Sequence, residues 1–182
     1  SKTDRDATFM HMKEDHMRNG QLKPGYNIQV GSCNGFVVNW STHQNRNDNG
    51  TLIPHLERYE RFFNKLPESI GADSGYGNQE NYEYLKEKHI KNYIKYPLFH
   101  KEQTKKFKSM KYNWQNMEYD EINDKFTCPE GRKLEYIKTR YDKTETGFIQ
   151  ENRVYECSDC SNCTHKSECT KAQGNRQIRF NK

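Results

Sequence analysis

No run of 18 or more apolar residues occurs in the 182-residue chain, which excludes a membrane-spanning helix. No signal-peptide pattern is visible, and the first residue, Ser1, is not Met; the chain is expected to begin inside a larger protein. Hydrophobic residues are scarce at 31%, and a mean hydropathy of −1.28 leaves material for only a lean core. Twelve Tyr and nine Phe make up part of the shortfall, an aromatic content foreign to disordered chains. Several site chemistries are missing too. The seven His show no H-x3-H or H-E-x2-H spacing, so a histidine metal centre is not indicated. No P-loop, G-x-G-x2-G or G-x-S-x-G is present, which disfavours nucleotide-dependent and acyl-transfer enzymes.

What is there reads as two parts. Residues 1–20 are polar and without a clean period, and are expected to be an irregular approach. "YNIQV" and "FVVNW" alternate as strands around the turn "GSCNG", which makes a hairpin. Leu52, Ile53, Leu56, Tyr59 and Phe63 follow helical spacing, with Asp48 or Asn49 as the expected cap and Pro54 tolerated in the first turn. "IGAD" is a short strand running into Asp73. After the turn "SGYG", Asn78 caps a second helix over "NQENYEYLKEKH", and "NYIKY" is another strand. This order predicts an α/β fold over residues 1–97. Residues 98–182 differ: a basic, partly helical stretch leads into short alternating segments separated by turn residues, a β-rich module of hairpins.

Charge is concentrated at the junction. Lys86, Lys88, Lys91, Lys95, Lys101, Lys105, Lys106, Lys108 and Lys111 face only Glu87 and Glu102 in the same stretch. That gives a local net charge of +7 against +5 for the whole chain. Aromatic residues are interleaved with these lysines, as suits a phosphate backbone, although a solvated charged face has the same composition.

Five of the six cysteines fall in the second part. Cys157, Cys160, Cys163 and Cys169 form C-x2-C-x2-C-x5-C, with Cys128 upstream in "CPEG", a turn that resembles a zinc knuckle lacking its second cysteine. Two intervening residues let both sulfurs point at one tetrahedral ion. Structural Zn2+, an iron–sulfur cluster, and disulfides or free thiols are the three readings, with zinc favoured and a zinc-ribbon-like module implied. Five candidates exceed the four places around one ion, and spacing does not name the spare. Cys33, in the hairpin turn, is expected to be uninvolved.

"ADSGYGNQENYEYL", "GQLKPGYNIQV", "KYPLFHKEQ" and "YECSDCSNCTHKSECT" together resemble bacterial insertion-sequence transposases of the DDE type, over essentially the whole chain. The resemblance implies an RNase H-like mixed sheet with helices, interrupted by a cysteine-rich insertion. It implies three acidic residues binding two divalent ions, usually Mg2+, and joining of an element's 3′ ends to target DNA. Asp73 matches the second of those acids. The first belongs to a strand ahead of the segment matched by Ser1, and Asp4 and Asp6 match the stretch after it; the third, a glutamate, lies beyond Lys182. Two-metal phosphoryl transfer needs several carboxylates around ions roughly 3.5–4 Å apart. The segment is therefore expected to be the central, inactive part of a self-associating, cytoplasmic, nucleoid-associated enzyme. The alternative is a truncated remnant that acts only as a zinc-containing DNA-binding module.

Overall fold

A computed structural model gives the fold, and it describes residues 2–12 and 17–181. The chain is mixed α/β and divides into two compact units, Ser1–Pro97 and Leu98–Lys182. Among the described residues no helix is long and apolar enough to cross a membrane.

The first unit opens on a ladder that the polar composition hid. Strand β1 (Thr8–Met10) pairs antiparallel with β2 (Lys23–Gly25), so part of the expected irregular approach is extended and paired. Strands β3 (Asn27–Cys33) and β4 (Phe36–His43) form the expected hairpin. Its turn is tighter than the composition suggested: Gly31 to Cys33 stay in the ladder, and only Asn34 and Gly35 turn, both at positive φ (50° and 81°). Asn-Gly suits this two-residue connection because its twist matches that of the flanking strands. Helix α1 (Leu52–Phe63) follows. Its N-cap is Thr51 rather than Asp48 or Asn49, and it stops at Asn64 in the left-handed conformation (φ 51°). Leu52, His55 and Leu56 are buried on it, whereas Phe62 and Phe63 are exposed, so the apolar spacing predicts only half of the buried face.

Strand β5 (Ser69–Ile70) pairs parallel with β6 (Lys91–Asn92), over two residues only. Both expected strands, "IGAD" and "NYIKY", are thus shorter in the fold. Between them, helix α2 (Gln79–Glu87) is capped as expected by the Asn78 side chain, which accepts from Asn81 N–H. Helix α2 ends ahead of His89, which takes a left-handed φ of 55°. Leu52, Leu56, Leu85, Ile90 and Ile94 form the core of this unit.

The second unit starts with two single helical turns, α3 (Phe99–Glu102) and α4 (Lys105–Lys108). An antiparallel meander follows: β7 (Glu118–Asp120), β8 (Lys125–Thr127), β9 (Lys133–Lys143) and β10 (Ile149–Cys157). After the one-turn α5 (Lys166–Cys169), β11 (Gln177–Phe180) pairs with β10 and completes the sheet in the order β11-β10-β9-β8-β7. The lean aliphatic content is met by rings. Phe126 packs edge-on against Tyr155 (5.1 Å) and Phe180 (5.4 Å), over Leu134 and Ile178. The tips of Tyr119 and Tyr155 both donate to Asp124 Oδ1 at 2.6 Å, and Arg153 pairs with its other oxygen. The hydroxyls of buried Tyr155 and half-buried Tyr119 are thereby satisfied, and the β7–β8 turn is fastened to β10.

Candidate functional site

Asp73 lies three residues beyond the end of β5, in extended backbone, as the N-cap of a short 3-10 turn (Ser74–Tyr76). Its Oδ1 accepts the Gly75 N–H at 2.7 Å. Of the glycines after it, Gly77 is required by backbone crowding, whereas Gly75 faces only side-chain oxygens. A β-carbon on Gly75 would lie 2.9 Å from Asp73 Oδ1 and 3.3 Å from Asp48 Oδ2; one on Gly77 would lie 2.6 Å from the Lys95 carbonyl. Asp48 is therefore a second carboxylate beside Asp73, which the sequence reading took for a helix cap. Its Oδ1 accepts from Asn27 (2.8 Å) and Gln29 (3.0 Å) on β3. Burial, then the charges of Asp48 and Asp73, push the Tyr76 phenol up to about 12. Buried Asn81 pins the loop by donating to the carbonyls of Tyr76 (2.8 Å) and Asn49 (3.1 Å).

Residues 29–33 of β3 and residues 69–73 border one opening of about 360 Å3, with His55 and Leu56 of α1 among its other walls. Ser41 Oγ lies 2.7 Å from His55 Nδ1 and 2.7 Å from His43 Nε2. Burial, then His43 and Arg58, hold His55 below the ordinary imidazole range; burial lowers His43 as well. Both rings stay neutral in the fold at a pH where the unfolded chain has taken up protons. Above the unfolded value of about 6.5 the two states bind protons equally. As pH falls from there through the lowered folded values, stability is lost. The thermal midpoint should be lower at about pH 5.5 than at about pH 7.5, and His55→Gln should shrink the difference. Equal midpoints for the unaltered chain would contradict this.

The lysine run is divided by the fold. Lys86, Lys88, Lys91 and Lys95 belong to the first unit, and Lys101, Lys105, Lys106, Lys108 and Lys111 to the second. Lys105, Lys106 and Lys108 are exposed around buried Phe107 on α4. Lys111 is engaged with Glu130 at 2.7 Å.

The five downstream cysteines meet. Cys128 sits in the β8–β9 turn, where its carbonyl accepts from Gly131 N–H and its own N–H donates to Arg132, both at 2.8 Å. Cys157 ends β10, Cys160 and Cys163 occupy the next turn, and Cys169 closes α5. All five line one cavity of about 20 Å3, together with Arg132, Lys166 and Arg176. Each is a free thiol, as is Cys33, which is exposed at the end of β3. Arg176 N–H donates to Cys160 Sγ at 3.4 Å, while the buried Nε of Arg176 has no hydrogen-bond partner. Burial, then the hydrogen bond with Cys160, pushes the Cys157 thiol up to about 11; burial also raises Cys169. Among the described residues, no group of three or more His, Cys, Asp or Glu stands in an arrangement that could hold a metal ion. The thiols converge on the cavity without closing on a common centre.

Neither a curated protein nor a solved structure matches the chain. The second unit has a match: residues 127–182, which begin at the last residue of β8, hold all five of these cysteines and exclude Asp73, match the family model described as Transposase DDE domain. That match supports a role for this chain in DNA transposition.

Proposed function

We propose that the chain is the central part of a DDE transposase that cuts and joins DNA strands at insertion-sequence ends. The match over residues 127–182 carries the reading. The first unit supports its RNase H-like part. Among the described residues, β3 pairs only with β4 and β5 only with β6, yet β3 and β5 border the same opening. One further strand there would join the two ladders into a single mixed sheet and run beside Asp73. The face of the hairpin that carries Ile28, Val30 and Trp40 is exposed and apolar, as a sheet face is before another element covers it. Asp73 would contribute one carboxylate to Mg2+, which would stabilise charge on the transferring phosphoryl group. Mg2+ retains most of its waters unless several ligands or phosphates hold it, so the isolated chain should neither nick nor join DNA.

Zinc is assigned to the cysteine cavity on its surroundings, although the thiols do not close on a common centre. A cavity of about 20 Å3 has room for one ion. Thiolates would give the orphaned Arg176 Nε an acceptor. Four thiolates on Zn2+ leave a net negative site, and Arg132, Lys166 and Arg176 line it. Partners on this reading are DNA and, in the intact enzyme, a second transposase copy, with a place on the nucleoid.

DNA contact is assigned to the nine lysines from Lys86 to Lys111. Their binding should be weak, sequence-tolerant and steeply salt-dependent. Exchanging Lys105, Lys106 and Lys108 for Glu should weaken it and flatten the salt slope, measured by fluorescence anisotropy on duplexes of unrelated sequence. Salt-independent binding, or none at low ionic strength, would remove these lysines from the account. The remnant reading draws on one observation, that the matched segment excludes Asp73. Strand transfer lost on Asp73→Asn in a protein carrying the flanking sequence would dismiss it.

A further inference from the structure

We infer that the ion in the cysteine cavity is held by Cys128, Cys160, Cys163 and Cys169, and that Cys157 is a packed thiol outside the coordination shell. The inference rests on the zinc reading and names the ligand set within it. Alternation along β10 puts Cys157 on the same face as Tyr155, directly opposite Leu134 in the β9–β10 register. It is 1% exposed and belongs to the cluster of Phe126, Leu134, Tyr155 and Ile178. Its backbone N–H is fixed to the Arg176 carbonyl at 2.9 Å. Its Sγ is hydrogen-bonded with Cys160 and lies 3.8 Å from the Asp159 carbonyl, an oxygen that accepts from a thiol and repels a metal-bound thiolate.

Cys160 shows the opposite polarity. It is buried in the same core, but its sulfur accepts the Arg176 N–H at 3.4 Å, as a negatively charged ligand sulfur does. The Cys160 carbonyl accepts the Cys163 N–H at 3.4 Å, closing the two-residue turn of this C-x2-C pair. Cys128 presents its sulfur from a turn closed the same way, by Gly131 N–H on the Cys128 carbonyl at 2.8 Å. Cys169 enters from α5 and supplies the fourth.

The test replaces zinc in the full chain with an NMR-active cadmium isotope and correlates the metal with cysteine β-protons. Couplings to Cys128, Cys160, Cys163 and Cys169, and none to Cys157, are expected. In parallel, Cys157→Val should retain about one zinc per chain by elemental analysis, while Cys160→Ser should lose it. Coupling to Cys157 in the unaltered chain would overturn the ligand set and leave the zinc reading standing. A chain that takes up neither zinc nor cadmium would overturn both.

Discussion

On the zinc reading, chelation at neutral pH is expected to unfold most of residues 98–182. The core of that unit is a single layer of residues, chiefly Phe126, Leu134, Tyr155, Ile178 and Phe180, on one five-stranded sheet. Zinc held by deprotonated ligands contributes about 10–16 kcal/mol in small zinc modules, and that binding energy becomes folding energy. Whole domains are stable by only about 5–15 kcal/mol, so losing the metal removes the margin. At about 4–8 °C per kcal/mol for a unit of this size, the midpoint should fall by at least about 20 °C. Far-ultraviolet circular dichroism should report loss of the sheet, with recovery on adding zinc back. An unchanged spectrum and midpoint would show that the cysteines are not structural ligands.

The sequence was most readable where the signal is local. Asn34-Gly35 between alternating runs predicts the hairpin, Asn78 predicts the start of α2, and the alternating segments after residue 117 predict the meander. Pairings set by distant partners were not readable. Thr8–Met10 become a strand only because Lys23–Gly25 lie alongside, and β11 exists by pairing with β10. Strands β5 and β6 are short because each pairs with the other over only two residues. At the site, spacing named the five thiols, but their meeting at one cavity depends on the β8–β9 turn approaching the end of β10. No local pattern could place Asp48 beside Asp73, because the loops that carry them are brought together by tertiary contacts at Gly75 and Asn81. The basic run reads as one feature in the sequence, yet it belongs to both units of the fold.

Asp73→Asn, in a protein that carries the flanking sequence, should lower strand transfer by about 10^3-fold or more. Metal-borne charge stabilisation of several kcal/mol is at stake, and each 1.36 kcal/mol is tenfold in rate. The substitution removes charge while sparing the fold, because an Asn oxygen can still accept the Gly75 N–H that Asp73 accepts. DNA binding and the thermal midpoint should therefore stay close to those of the unaltered protein. Full activity of the variant would take Asp73 out of the site.

The central claim is that these residues form one piece of a transposase whose remaining acids lie outside them. Strand transfer with Mg2+ or Mn2+ and element-end DNA, by this chain and by the protein extended through its neighbouring coding sequence, tests it most directly. Activity is expected from the extended protein alone, with both proteins binding DNA. Robust metal-dependent cleavage by the 182-residue chain, or none by either protein, would contradict it.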